Sequence, residues 1–395
     1  MMDNVKRSLI NRIASTSKTN FELNNLKRMN SKIKKTYFKK SKHTTKPKSS
    51  KKHTKNPVSK PQIRVTFEKP LDKPMISPIE SHSWECLQTF NSATIEINGT
   101  IYFLYRAVGE QWISRIGLAT SKDGLHIDER LSYPIYSYFT PSQTSTSRRK
   151  NHLTYPDYSS GGGIYGGCED PRATVIGETI YMVFVAYDGC TEPRLAITTI
   201  SVKNFLNRIW LWTPVKFISR PYVVNKSGVI FPEKINDEFV IFHRVFPNIL
   251  IDRRPSLDFN GSNFLTEIDG IKIRDNIWDS RKIGAGAPPI KTEHGWLLVY
   301  YATDDRDASQ YKIGIMLLDL EDPTKVLYRT NAPAIEPDVW YDNVGNKPGI
   351  VYPCGSILRG NDLFVYYGGA DNYLCVATTK LDKLVYQLKN QNVII

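Results

Sequence analysis

From about residue 85 onward the chain repeats one pattern five times. Each copy has a short polar start, an apolar segment, a Gly or Asn turn, an apolar strand rich in Tyr and Phe, a polar loop and a further apolar strand. The copies can be followed through Ile101 to Arg106, Ile180 to Val185, Phe239 to Arg244, Trp296 to Tyr301 and Leu363 to Tyr367. The second strands start at residues 101, 180, 239, 296 and 363, spaced by 79, 59, 57 and 67. No long stretch has helical apolar periodicity, and β-branched and aromatic residues dominate the strands. Short strands grouped in fours read as radial blades, which leave only short sheet edges unpaired. The expectation is an all-β, five-bladed β-propeller over residues 65–395, with a β-sandwich carrying irregular inserts as the competing fold.

A propeller makes equivalent positions of the copies surround one axis. Two such sets follow from the alignment: Asn91, Asp170, Glu233/Lys234, Pro288 and Cys354, and, after the second strands, Arg106, Asp188, Arg244, Asp304 and Asp371. Polar groups far apart in sequence are thereby expected to meet in one pocket.

Charge separates the N-terminus from the rest. Residues 1–60 hold 18 Lys or Arg against Asp3 and Glu22, leaving 35 basic and 37 acidic residues beyond them. The formal charge of +14 therefore belongs to the tail, and an anionic surface or nucleic acid is a partner for the tail only. Residues 40–60 are too poor in apolar side chains to offset the entropy of ordering, so a basic, mostly disordered extension is expected. The scattered apolar positions Val5 to Ile33 suit an amphipathic helix or a homo-oligomer contact. Cys86, Cys168, Cys190, Cys354 and Cys375 show no CxxC pair, and no apolar signal core or membrane-length run is seen, so a cytoplasmic location is expected.

The string Gly166-Gly167-Cys168-Glu169-Asp170-Pro171-Arg172 opens the second copy and suits a fixed proton donor. With it go Tyr105-Arg106-Ala107, Ser114 to Ser121, Ala186-Tyr187-Asp188-Gly189, Arg194-Leu195-Ala196, Phe231 to Asn236, His243-Arg244, Lys282-Ile283-Gly284, Pro288-Pro289-Ile290, Leu318 to Pro323 and Tyr366 to Asp371. Together these strings resemble the β-mannoside phosphorylases, inverting enzymes that use inorganic phosphate, over nearly everything after residue 85. The tail has no match.

The resemblance implies roles by position. Asp170 is the proton donor. Asn91, Arg106 and Asp371 hold the mannosyl unit, with Glu169 as a sugar ligand or support. Lys226, Lys234, Arg244 and Lys282 hold phosphate, with His243 beside them. Tyr341 and Asp342 are acceptor-site candidates. Substrates are a β-mannoside oligosaccharide and phosphate, with no metal and no other cofactor. The resemblance further implies that the acid relays its proton through a sugar hydroxyl. Phosphate is itself an anionic nucleophile, so the carboxylate that activates water in an inverting hydrolase is dispensable, and fixed cations take its place. The alternatives are an inverting β-mannosidase with Glu169 or Glu233 as base, and a non-catalytic glycan-binding propeller. The loop at residues 137–165, with Arg148, Arg149, Tyr155, Tyr158 and Gly161 to Gly163, departs from the family pattern and leaves the acceptor open. The acidic turn Asp304, Asp305, Asp307 lacks the glycine and terminal Glu of a calcium loop and reads as solvated. Trp84, Trp112, Trp278 and Trp340 suit sugar stacking or core.

Overall fold

A computed structural model describes residues 63–138 and 163–391. The basic tail, and Arg148, Arg149, Tyr155, Tyr158, Gly161 and Gly162 of the long loop, lie outside the described residues. Within them the chain is all-β, with three short helices: α1 (Val202–Leu206), α2 (Trp340–Asn343) and α3 (Leu381–Asn390).

The strands form four sheets. The first contains β1 (Gln88–Ile97), β2 (Thr100–Val108), β3 (Ser114–Ser121), β4 (Glu129–Arg130), β5 (Gly167–Ile176), β6 (Thr179–Tyr187), β7 (Arg194–Ser201) and β8 (Lys216–Phe217). It divides into two antiparallel four-stranded halves, joined only at the parallel pair Ser114–Gly167. The second sheet contains β9 (Lys226–Ile230), β10 (Phe239–Val245), β11 (Asn248–Arg254) and β12 (Ile268–Ile271). The third contains β13 (Lys282–Ala285), β14 (Ile290–Thr292), β15 (Gly295–Asp304), β16 (Asp307–Leu318) and β17 (Val326–Arg329). The last contains β18 (Val351–Arg359), β19 (Asp362–Gly369) and β20 (Tyr373–Lys380). Its free edge is met by an N-terminal strap, whose Glu68 bridges Thr378 and whose Ile76 bridges Leu374.

The second strands begin at Thr100, Thr179, Phe239, Gly295 and Asp362, each within one residue of the start expected from the repeats. Continuous apolar runs explain the agreement, because every such strand buries both faces between neighbouring sheets. The core is accordingly a series of apolar interlayers. Leu104 and Ile116 pack with Met182 and Phe184, Val183 and Leu195 with Ile241, Phe242 and Val229 with Leu298 and Trp296, and Val299 and Ile315 with Val365 and Tyr367. Phe103 and Tyr105 of the first half-sheet then pack with Phe364 and Tyr366 of the last sheet.

Several first strands of the sheets are bulged where the site lies. Register shifts fall between Phe90 and Ala93 in β1, between Glu169 and Arg172 in β5, between Pro353 and Gly355 in β18, and in β9 opposite Phe242 and Arg244. At three of these bulges a non-glycine residue takes the left-handed conformation: Asn91 (φ 46°), Asp170 (φ 47°) and Ser227 (φ 57°). Asn and Asp tolerate this region better than most residues. The third equivalent of Asp170 is therefore Ser227, which corrects the alignment on Glu233/Lys234. The reason is a longer turn: β9 ends at Ile230, and residues 231–238 intervene before β10 begins. Pro288 likewise sits in the break between β13 and β14 rather than at a bulge within a strand.

Candidate active site

Asp170 is 2% exposed and lines a cavity of ≈ 620 Å³. Its bulge aims the carboxylate away from the sheet, and neighbours from other strands hold it there. Asn91 Nδ2 donates to Oδ1 at 2.8 Å, and Arg106 Nη1 to the same oxygen at 2.9 Å. Arg172 Nη1 donates to the Asp170 backbone carbonyl at 2.8 Å, while its Nε and Nη2 reach Gly286 O and the Tyr352 hydroxyl, each at 3.0 Å. Among the described residues none bonds Oδ2. Burial works to raise the Asp170 pKa, but the Arg106 and Arg172 guanidiniums and the Asn91 hydrogen bond outweigh it and hold the carboxyl below the usual range.

The same cavity also has a cationic lining. Lys226 at the start of β9, Arg244 in β10 and Lys282 at the start of β13 all face the cavity. Tyrosines fix them: Arg244 Nε donates to the Tyr301 hydroxyl at 2.9 Å, and Lys282 Nζ meets the Tyr311 hydroxyl. The Tyr301 hydroxyl also bonds Ser227 Oγ at 2.6 Å. Burial lowers the pKa of Lys226, partly offset by Glu169 and Asp170. Burial, then Arg244, Lys226, Arg281 and Lys347, bring Lys282 down to about 7. Three cations lining one cavity are suited to binding an anion there.

Asp371 (φ 50°) lines the cavity from the turn after β19, its carboxylate 3.8 Å from Lys347 Nζ. Burial raises its pKa to about 6, with Lys347 and Arg106 pulling down and Asp170 pushing up.

The structure therefore brings Asn91, Asp170, Lys226, Arg244, Lys282 and Asp371 to one cavity. Arg106 and Glu169 lie behind it, both 0% exposed and paired with each other at 3.2 Å. Glu169 also stands 3.7 Å from Lys226 Nζ. In this structure they support Asp170 and Lys226 rather than line the cavity.

Other expected members are elsewhere. Lys234 is exposed on the outer turn, 4.8 Å from the centre of the Phe239 ring, and Glu233 beside it pairs with Lys291. His243 faces the other side of β10 from Arg244, because adjacent strand residues point to opposite faces. Its Nε2 bonds Thr266 O at 2.9 Å, its Nδ1 meets Asn225, and burial lowers its pKa to about 4. The Tyr341 hydroxyl donates to Leu71 O at 3.1 Å and Asp342 pairs with Lys69, so both serve the strap. Asp188 caps its own loop through the amides of Cys190 and Thr191, and Asp304 is paired with Arg306. Sequence reasoning missed Ser227, Tyr301, Tyr311, Tyr352 and Lys347. The alternation of β15 and the position of Ser227 directly after Lys226 were the available signals. Among the described residues no group of three or more His, Cys, Asp or Glu could hold a metal.

One immobilised acid facing a cluster of cations across a sugar-sized cavity can protonate a leaving oxygen while holding an anionic nucleophile. Comparison with known proteins agrees in kind. Residues 49–390 match the family described as β-1,4-mannooligosaccharide phosphorylase. A 1,2-β-oligomannan phosphorylase of Thermoanaerobacter sp. is 34% identical over 322 residues, 80% of this chain and 97% of that protein. The crystal structure of β-1,2-mannobiose phosphorylase from Listeria innocua, in complex with β-1,2-mannobiose, covers 82% of this chain and 99% of its own, at 25% identity and TM-score 0.63. A structure from work describing glycoside hydrolases, within this family of mannoside phosphorylases, that target β-1,2 linkages in Candida mannan is 26% identical. It covers 81% of this chain and 95% of its own, with a TM-score of 0.64.

Proposed function

This chain belongs to glycoside hydrolase family 130, the β-mannoside phosphorylases, and on that premise we propose how its site performs phosphorolysis. A β-mannoside is cleaved with inorganic phosphate to give α-mannose 1-phosphate and a shortened sugar, with inversion, or is made in reverse. The observation that carries this reading is the charge layout: one pinned carboxylate, Asp170, facing Lys226, Arg244 and Lys282.

Asp170 is an anion in the free protein, since its pKa is depressed. It must gain a proton before it can act as an acid. Bound phosphate supplies negative charge that offsets the neighbouring cations and raises the affinity of Asp170 for a proton. A sugar hydroxyl bridging Asp170 and the leaving oxygen would carry that proton, as the family resemblance implies. Phosphate, held by Lys226, Arg244 and Lys282, attacks the anomeric carbon from the other face. Asn91 and Asp371 grip the mannosyl unit, and Arg106 and Glu169 hold the acid and Lys226 in place.

The hydrolase reading needs a second carboxylate to activate water. Glu169 is buried in pairs with Arg106 and Lys226, and Glu233 is on the outer turn, so neither is disposed as that base. The similarity to β-1,2-oligomannan phosphorylase over nearly all of that protein supports a β-1,2 linkage. Incubation with β-1,2- and β-1,4-mannobiose, with and without phosphate, tests both points. Phosphate-dependent α-mannose 1-phosphate from the β-1,2 isomer is expected; free mannose at the same rate without phosphate overturns the reading.

The fold that goes with it is a five-bladed propeller, residues 65–395, counting the two halves of the first sheet as separate blades and the strap as an edge of the last. The Phe103–Tyr366 interlayer supports this count. Five free cysteines support a reducing, cytoplasmic setting.

A further inference from the structure

The cavity wall that carries Lys347 is held from behind by a residue that lies outside the repeats. Lys69, in the strap, has a side chain only 9% exposed. Its Nζ donates to Glu336 O at 2.7 Å, lies 2.6 Å from Asp342 Oδ2, and meets the Asp338 carboxylate. Asp342, 0% exposed, belongs to α2. Two more side chains of α2 bond the strap backbone: Trp340 Nε1 to Asp72 O at 2.9 Å, and the Tyr341 hydroxyl to Leu71 O. From α2 the chain runs directly into the wall. Gly349 N donates to Asp342 O at 3.0 Å, Lys347 N to Ala370 O at 2.9 Å, and Tyr311 N to Gly349 O at 3.2 Å. Asn346, Lys347 and Pro348 line the cavity within that span, and Lys347 faces Asp371.

We propose that Lys69 is a positioning residue for sugar binding: by clamping Asp342 it fixes α2, and through α2 the Asn346–Pro348 wall that sets Lys347 against Asp371. The inference rests on the functional reading above. A strap needed only to cover a sheet edge requires backbone pairing, which Glu68 and Ile76 already supply. A buried ion pair is a costly way to add stability, since it must overcome the desolvation of both charges. It is a good way to fix one geometry, and the geometry fixed here ends at the cavity.

The test is calorimetric binding of mannose and of β-1,2- and β-1,4-mannobiose without phosphate, together with steady-state kinetics and melting curves. Lys69→Met is expected to weaken sugar binding about tenfold and to raise KM in step, with kcat within about twofold of wild type. Lys69→Met combined with Lys347→Met is expected to bind no worse than Lys347→Met alone, because the first acts through the second. Ile76→Ala, which loosens the strap at its other end, is expected to lower Tm and leave binding unchanged. If Lys69→Met does not fold, Lys69→Met with Asp342→Asn leaves no buried unpaired charge and carries the same comparison. Wild-type binding in Lys69→Met, full additivity with Lys347→Met, or an equal loss of binding in Ile76→Ala at equal loss of Tm would each overturn the proposal. Wild-type turnover with and without phosphate is recorded alongside, so a failure of the functional reading shows in the wild type and a failure of this inference only in the variants.

Discussion

Arg106 Nη1 stands 2.9 Å from Asp170 Oδ1, with the two side chains 0% and 2% exposed. The same guanidinium reaches Glu169 through Nη2 and Ser114 Oγ through Nε. A single buried cation in β2 thus answers two buried carboxylates on β5, in the other half of the sheet. Stability and acid placement are tied to one side chain.

Arg106→Met should leave those carboxylates without their main partner. Breaking a buried pair in this way costs about 3–5 kcal/mol, read by urea unfolding at pH 7. The pH dependence follows from sign. The folded-state pKa of Asp170 is depressed, so its contribution to stability is full above the usual value of 3.8 and is lost as pH falls through the folded value. Removing Arg106 should therefore raise the midpoint of acid unfolding. An unchanged midpoint would detach Asp170 from Arg106.

Asp170→Asn removes the proton and little volume. If Asp170 is the acid, turnover of a natural disaccharide should fall at least about 10²-fold, in a chain that still folds but with a lower Tm, since the stabilising charge on Asp170 is lost. Near-normal turnover would remove Asp170 from the mechanism.

Lys282 is pushed down to about 7 from the usual 10.5, first by burial and then by its cationic neighbours. Between those two values the unfolded chain binds more protons than the folded one, so this site lets stability rise with pH across that window. Below it, folding must bear a charged Lys282 in full. Lys282→Met should therefore raise Tm more at pH 6 than at pH 9. The same change should weaken phosphate use about 10–150-fold, the worth of one charge-assisted contact. Inorganic phosphate should raise the wild-type Tm and do so less in the variant.

Gly368 lies against Asn91. A Cβ there would collide with Asn91 Oδ1. Gly368→Ala should push Asn91 off Asp170 and cut kcat about tenfold or more, since small misplacements at the reacting centre are costly. Binding of phosphate, through Lys226, Arg244 and Lys282, should stay near wild type; a comparable loss of phosphate affinity would show general disruption.

Truncation should separate the strap from what precedes it. A chain starting at residue 63 keeps Glu68, Lys69 and Ile76 and is expected to retain turnover and Tm. One starting at residue 79 loses both bridges to β20 and the Lys69 clamp, and is expected to melt several degrees lower. Equal melting of the two would make the strap dispensable.

The sequence by itself determined the strands. Apolar and aromatic residues in short runs, broken by Gly and Asn, place Thr100, Thr179, Phe239, Gly295 and Asp362 because apolar runs and turn chemistry are local properties. It also marked Asp170, Arg244 and Lys282, which stand at strand starts or within strand motifs. What it could not determine is which side of a strand faces the cavity once spacing changes between copies. A longer turn after β9 put Ser227 where Lys234 was expected. Alternation turned His243 away from its neighbour Arg244. Tyr341 and Asp342, polar and aromatic like sugar ligands, proved to anchor a strap some 270 residues earlier in the chain. Those outcomes depend on contacts between segments remote in sequence, and only tertiary packing decides them.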